Sequence, residues 1–201
     1  MLILYHLGGF MMEEIDLTLR ICLLGDSAVG KTSLINRYSS DIFGEDQIKI
    51  MGSMITKKKV SIDMPEYDKK FNITFSIYDI MGDVNFRELI YQADLHCISG
   101  AFLVCDVTRP ETLENLIFWV DSLYREIGEN IPVIYCANKS DLTGGHMFDL
   151  ADTEILTEIF CAPWLLTSAR TGDNVEEAFR TLGTKIIEHH IRKNGSDISM
   201  L

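Results

Sequence analysis

Eight consecutive residues, Gly25-Asp26-Ser27-Ala28-Val29-Gly30-Lys31-Thr32, carry the densest chemical signal in the chain. They fit the pattern of Gly, any four residues, Gly, Lys and then Ser or Thr without a mismatch. Gly25 and Gly30 let the backbone curl until successive N–H groups face inward, which makes a concave site for an anion. Lys31 adds a point charge for terminal phosphates, and the Thr32 hydroxyl is a hard oxygen suited to Mg²⁺. A buried-strand pattern, Thr18 to Leu24, leads into the loop. A helical pattern, Lys31 to Ser40, follows it and adds its positive end, with Ser33 as a further candidate contact. Such a loop holds a nucleoside triphosphate without specifying the base.

Three later motifs specify it. Asp79-Ile80-Met81-Gly82, Asn138-Lys139-Ser140-Asp141 and Thr167-Ser168-Ala169 each follow an apolar strand-like run. Open α/β sheets bind ligands at such strand ends. Asp141 decides between purines. A carboxylate only accepts hydrogen bonds, and guanine offers N1–H and N2–H₂ side by side. Adenine leaves that carboxylate unpaired, a mismatch that can discriminate by a factor of roughly 10⁴.

In this order the motifs resemble the Ras superfamily, and Gly25 to Thr32 is closest to its Rab-like branch. The resemblance covers residues from about 18 to 192. It implies a P-loop α/β domain with a mostly parallel six-stranded sheet flanked by helices, holding GTP or GDP with Mg²⁺. It implies that Asn138 holds the base and braces the phosphate loop, while the Lys139 stem covers one ring face. The Ala169 N–H would meet the guanine O6, Ser168 would support that loop, and Phe43 would lie against the base. Thr32 and Asp79 would serve the metal, Asp79 through a water. Lys31, the Gly82 N–H and Asp83 would act on the γ-phosphate, and partners would read residues 41–54 and 81–94. Exchange, activating and effector proteins are implied on the same ground.

Two positions depart from the family pattern. Ile50 stands, shortly before Gly52, where the family carries a Thr that completes Mg²⁺ coordination, and Ile has no oxygen to offer. Ser53 or Thr56 substitutes only if the register slips. Asp83 replaces the Gln that orients the attacking water, and it is shorter and negative beside a developing phosphate charge. The expectation is a switch enzyme with slow intrinsic GTP hydrolysis. The alternative is a GTP-binding adaptor that does not hydrolyse. An ATP-dependent kinase or transporter subunit conflicts with Asp141.

The rest of the chain must position these groups. Its 201 residues, 47% apolar and 24% charged, suit one domain with a real core. Expected strands are Thr18 to Leu24, Met54 to Asp63, Phe71 to Asp79, Ser99 to Val107, Ile131 to Ala137 and Pro163 to Leu166. Helices are expected at Lys31 to Ser40, Glu111 to Ile127, Asp149 to Phe160 and Asn174 to Arg192. Their alternation means a mostly parallel sheet wrapped by helices. Met54 to Asp79 forms a hairpin whose segment Met64 to Lys70 is about six residues longer than the family's motif spacing, read as a surface insertion. The division is residues 1–17 as an extension, 18–192 as the nucleotide domain and 193–201 as a short tail.

A net charge of −12 argues against nucleic-acid binding, and Lys57 to Lys59 reads as a solvated strand face. The five cysteines read as small buried hydrophobes in a reducing, cytoplasmic setting. His6, His96, His146, His189 and His190 show no ligand spacing. Met1 to Phe10 is apolar but lacks the flank and cleavage site of a secretory signal. The expectation is a translation start at Met11 or Met12, the alternative a short membrane-touching segment of the kind some Arf-type relatives carry. Leu2 excludes myristoylation at this start, and Ile198 to Leu201 contains no Cys for prenylation. A monomer without a lipid anchor is the default.

Overall fold

The computed structural model describes residues 12–40, 48–50, 53–80, 97–142, 157–158 and 160–194. Phe43, Gly82 and Asp83 lie outside the described residues, as do the side chains of Ile50 and Ser53. So do most of the 41–54 and 81–94 stretches, His6, His96, His146, residues 1–11 and 195–201, and most of the helix expected from Asp149 to Phe160.

Among the described residues seven strands form one sheet: β1 Glu13–Leu24, β2 Ile48–Ile50, β3 Ser53–Met64, β4 Lys69–Ile80, β5 Gly100–Asp106, β6 Val133–Asn138 and β7 Trp164–Thr167. Their order is β2-β3-β4-β1-β5-β6-β7. The six expected strands are all present, and the three-residue β2 adds a seventh at one edge. β1 pairs in parallel with β4 and β5, and β5, β6 and β7 continue in parallel. Among the described residues the antiparallel pairs are β2 with β3 and β3 with β4.

The sequence pattern follows the burial. Every residue of β5 (GAFLVCD) and β6 (VIYCAN) is buried, because helices cover both faces of these central strands. β1 is mostly exposed at its start, alternates exposed and buried from Asp16 to Arg20, and is wholly buried in its last four residues. One core layer joins Leu19, Ile21, Leu23, Phe75 and Ile77 to α1 (Lys31–Ser39) and α4 (Val175–Asn194), centred on Phe179, Leu182 and Ile186. The other joins Cys22, Leu24, Ala101, Leu103 and Cys105 to Leu116, Trp119 and Leu123.

The single helix expected over Glu111 to Ile127 is two: α2 Pro110–Glu114 and α3 Leu116–Ile127. The junction, Asn115, keeps helical φ but has ψ of −15°, which tightens the turn. Gly128, at φ +80°, ends α3 by donating its N–H to the Tyr124 carbonyl.

The extra hairpin residues lengthen the strands instead of the loop. β3 and β4 pair from Ser53–Ile80 out to Met64–Lys69, and only 65–68 turn the chain. β1 follows them outward. Its first residues, from Glu13, pair with Lys69 onward, and Lys69 and Lys70 form ion pairs with Glu13 and Glu14. The domain boundary placed at residue 18 therefore falls inside β1, which starts at Glu13.

Cys22, Cys105 and Cys136 are buried as expected, but Cys97 and Cys161 are exposed, a correction to the reading of all five as core. Neither sits inside a strand, so no apolar layer covers it. Lys57 and Lys59 face solvent, and Lys58 lies over the Tyr38 ring at 5.1 Å. Among the described residues no helix is long and apolar enough to cross a membrane.

Candidate functional site

The loop between β1 and α1 owes its shape to three residues with positive φ: Gly25 at +140°, Ala28 at +60° and Gly30 at +103°. A Cβ on Gly25 would stand 2.1 Å from the Val104 carbonyl oxygen, so the loop rests directly on the β5 backbone. A Cβ on Gly30 would stand 2.3 Å from Asn138 Nδ2, so only glycine leaves room for the β6 terminus. Lys31 is 7% exposed, and its Nζ donates to the carbonyls of Gly25 and Asp26, both at 2.8 Å. Thr32 Oγ1 donates to Asp79 Oδ2 at 2.5 Å. A hydroxyl and a carboxylate oxygen thus meet at the ends of α1 and β4, beside a buried ammonium.

Asn138, the last residue of β6 and 1% exposed, joins three loops. Its Nδ2 donates to the Val29 carbonyl at 2.9 Å, inside the phosphate loop. Its Oδ1 accepts from Thr167 Oγ1 at 3.3 Å and from the Ala169 N–H at 3.2 Å. The next residue, Lys139, has φ +66° and sends its Nζ to Asp106 Oδ2 at 2.6 Å. Burial raises the pKa of the Asp106 carboxyl. Hydrogen bonds from Lys139, Thr108 and Arg109 outweigh that and bring it to about 2.

Asp141 presents both oxygens at the mouth of the same region. Oδ1 accepts from Ser168 Oγ at 2.5 Å, and Oδ2 pairs with Arg170 Nε at 2.7 Å. The Ser168 bond lowers its pKa most, burial works against it, and Arg170 adds to the lowering. Gly30, Ser33, Asn138, Lys139, Asp141, Leu142, Ala169 and Arg170 line one cleft of about 280 Å³. A wider groove of about 600 Å³ crosses the outer parts of β1, β3 and β4, and its lining includes no motif residue.

A profile of the Ras family matches residues 20–188, a span that includes the phosphate loop and all three later motifs. The chain belongs to the Ras family. It is 32% identical over 181 residues to the Ras-related protein RABA4b of Arabidopsis thaliana, an alignment covering 90% of this chain and 78% of that relative. The two matches together support a Rab-like member of the Ras superfamily, whose proteins in general bind GTP and GDP with Mg²⁺ and act as switches.

In this Ras-family chain one cleft gathers Gly30, Ser33, Asn138, Lys139, Asp141 and Ala169, six of the residues singled out from the sequence. It also brings in residues that sequence reasoning missed. Leu142 and Arg170 line the cleft, and Asp106, Thr108 and Arg109 form the polar floor on which Lys139 rests. The signal was present. Asp106 ends β5 as Asn138 ends β6, so the strand-end rule that found the other motifs also points here. Thr56, one of two proposed stand-ins for the switch oxygen, lies in β3 opposite Ile77 and is 1% exposed.

Proposed function

We propose that this Ras-family chain binds GTP and GDP with Mg²⁺ in the cleft between its phosphate loop and Asn138 to Asp141. It hydrolyses GTP slowly and signals its state through residues 41–54 and 81–94. The observation that carries this reading is the Asn138–Val29 hydrogen bond, which fixes the base motif against the phosphate loop.

The residues present fit the nucleotide and the metal. A Cβ at Gly25 or Gly30 would collide with the Val104 carbonyl or with Asn138 Nδ2, so glycine there lets the loop curl, and Thr32 with Asp79 offers the hard oxygen donors that Mg²⁺ takes. The loop amides of 25–32 and Ser33, with the positive end of α1, hold phosphate oxygens, and Lys31 neutralises charge there. Asp141 accepts from the two adjacent guanine donors. Arg170, with its side chain 73% exposed, leaves Oδ2 for solvent at little cost. Ser168 fixes the Asp141 carboxylate, the Ala169 N–H would turn from Asn138 Oδ1 to O6, the Lys139 stem would cover a ring face, and Phe43 is assigned to the base by the family pattern. Mg²⁺ held by Thr32 and Asp79 would supply positive charge against the negative charge that builds on the phosphates during hydrolysis.

Slow hydrolysis follows from Asp83. Its carboxylate sits poorly beside a phosphoryl group gaining negative charge, and it is too short to orient water as Gln does. An arginine supplied by an activating protein would remedy this. Single-turnover phosphate release tests the reading. A slow parent rate, raised by Asp83→Gln, supports it; a parent rate equal to that of ordinary family members defeats it. The absent oxygen at Ile50 together with Asp83 favours a second reading, a GTP-holding adaptor. Mass spectrometry of nucleotide retained over hours separates them, because an adaptor keeps GTP and an enzyme accumulates GDP.

A further inference from the structure

The phosphate loop carries a carboxylate, Asp26, in a place built for anions. Left to itself, that charge would oppose bound phosphates a few ångströms away. Both of its oxygens are taken instead by the start of helix α3. Trp119 Nε1 donates to Oδ1 at 2.9 Å, and Asn115 Nδ2 donates to Oδ2 at 2.7 Å. A third side chain from the same stretch, Arg109, donates to the Ser27 carbonyl at 2.9 Å. The loop is therefore gripped at three successive points: residue 26 by α3, residue 27 by Arg109 and residue 29 by Asn138.

Trp119 suits this task because it is anchored at its other end. It is 8% exposed and packs in the core layer with Leu116 and Leu123, so its indole N–H is held at a fixed height above the loop. Its neighbours Ile117 and Phe118 point outward, 60% and 65% exposed, and the Phe118 ring meets Trp119 edge-on at 5.8 Å. Asn115 stands at the tightened turn between α2 and α3.

We infer that Asn115 and Trp119 are positioning residues for nucleotide binding. By drawing the Asp26 carboxylate toward α3, they keep its charge off the phosphates and hold the loop amides aimed inward. They touch no nucleotide themselves. The inference rests on the reading of residues 25–32 as the nucleotide site. It adds a route by which anything that shifts α3 alters nucleotide release.

The test is the dissociation rate of a fluorescent GDP analogue, followed in Mg²⁺ with excess unlabelled GDP, for the parent, Trp119→Phe and Asn115→Ala. Each variant should release the analogue about tenfold faster, the scale of a lost hydrogen bond to a charged group, with its association rate little changed. Both effects should shrink to under twofold in an Asp26→Ala background, because coupled residues are not additive. Thermal melts identify a variant that fails to fold, and Asn115→Ala, which leaves the core intact, then carries the measurement. A merely structural role would speed release equally with and without Asp26, and that result overturns the inference. So do release rates within twofold of a parent that binds normally. A parent that binds no analogue defeats the nucleotide reading itself, and this inference falls with it.

Discussion

Asn138 Nδ2 donates to the Val29 carbonyl across 2.9 Å, joining residues 109 positions apart in the chain. The end of β6 and the middle of the phosphate loop are thereby one unit, and base recognition is mechanically tied to phosphate recognition. Asn138→Ala removes the donor and leaves a buried carbonyl and a buried hydroxyl without this partner. The cost should be about 1–3 kcal/mol in stability. Nucleotide affinity should fall by more, because two subsites lose their alignment. Calorimetric titration with GDP alongside urea unfolding measures both quantities, and equal losses would show that Asn138 acts on folding alone.

Gly30→Ala should break the same link from the other side. Gly30 has φ +103°, and its new Cβ would stand 2.3 Å from Asn138 Nδ2. Gly128→Ala is the matched control, with φ +80° and nothing within 4 Å. Both variants should lose about 1 kcal/mol for backbone strain, and Gly30→Ala a further 1–3 kcal/mol, roughly, for the displaced Asn138 bond. Only Gly30→Ala should also lose nucleotide affinity, by tenfold or more in the same titration.

Acid should unfold the protein partly through Asp106. Its carboxyl has a pKa of about 2 in the folded chain against an ordinary 3.8, despite burial that pushes it up, because Lys139, Thr108 and Arg109 bond to its charged form. A depressed folded pKa contributes stability that is present above the ordinary value and lost as pH falls from about 4 toward 2. The amount is about 2 kcal/mol. Urea unfolding at a series of pH values between 2 and 6 should show that loss in the parent and a shallower slope in Asp106→Asn. Some slope remains, since the Asp141 carboxyl is lowered as well.

The outer part of β1 should matter to stability even though the family profile begins at residue 20. A chain starting at Thr18 loses the pairing of Glu13–Leu17 with Lys69–Ile73, together with the buried Leu17. It should melt several degrees below a chain starting at Met12, which keeps that pairing. Differential scanning calorimetry of the two truncations gives the comparison.

Much of this architecture was legible because its causes are local. The phosphate loop needs two glycines, a lysine and a hydroxyl at fixed spacing, and β5 and β6 declare their two-sided burial as unbroken apolar runs. What escaped depends on partners distant in sequence. The outer half of β1 is half polar, and Glu13–Asp16 becomes strand only because a lengthened hairpin lies alongside to pair with it. The grip of Trp119 on Asp26 spans 93 positions and leaves no periodic trace, since a core tryptophan on a helix looks the same whether or not its N–H is used. Asp106 shows in the sequence only as a strand end, and its pairing with Lys139, 33 positions away, shows only in the fold.

Competition binding of GDP, GTP and ATP, each with and without Mg²⁺, puts the central claim at most direct risk. Guanine nucleotides should bind tightly and more tightly with the metal, while ATP should be weaker by a factor of roughly 10⁴ because Asp141 finds no donors on adenine. Comparable affinity for ATP, or no binding of any of the three, would contradict the account.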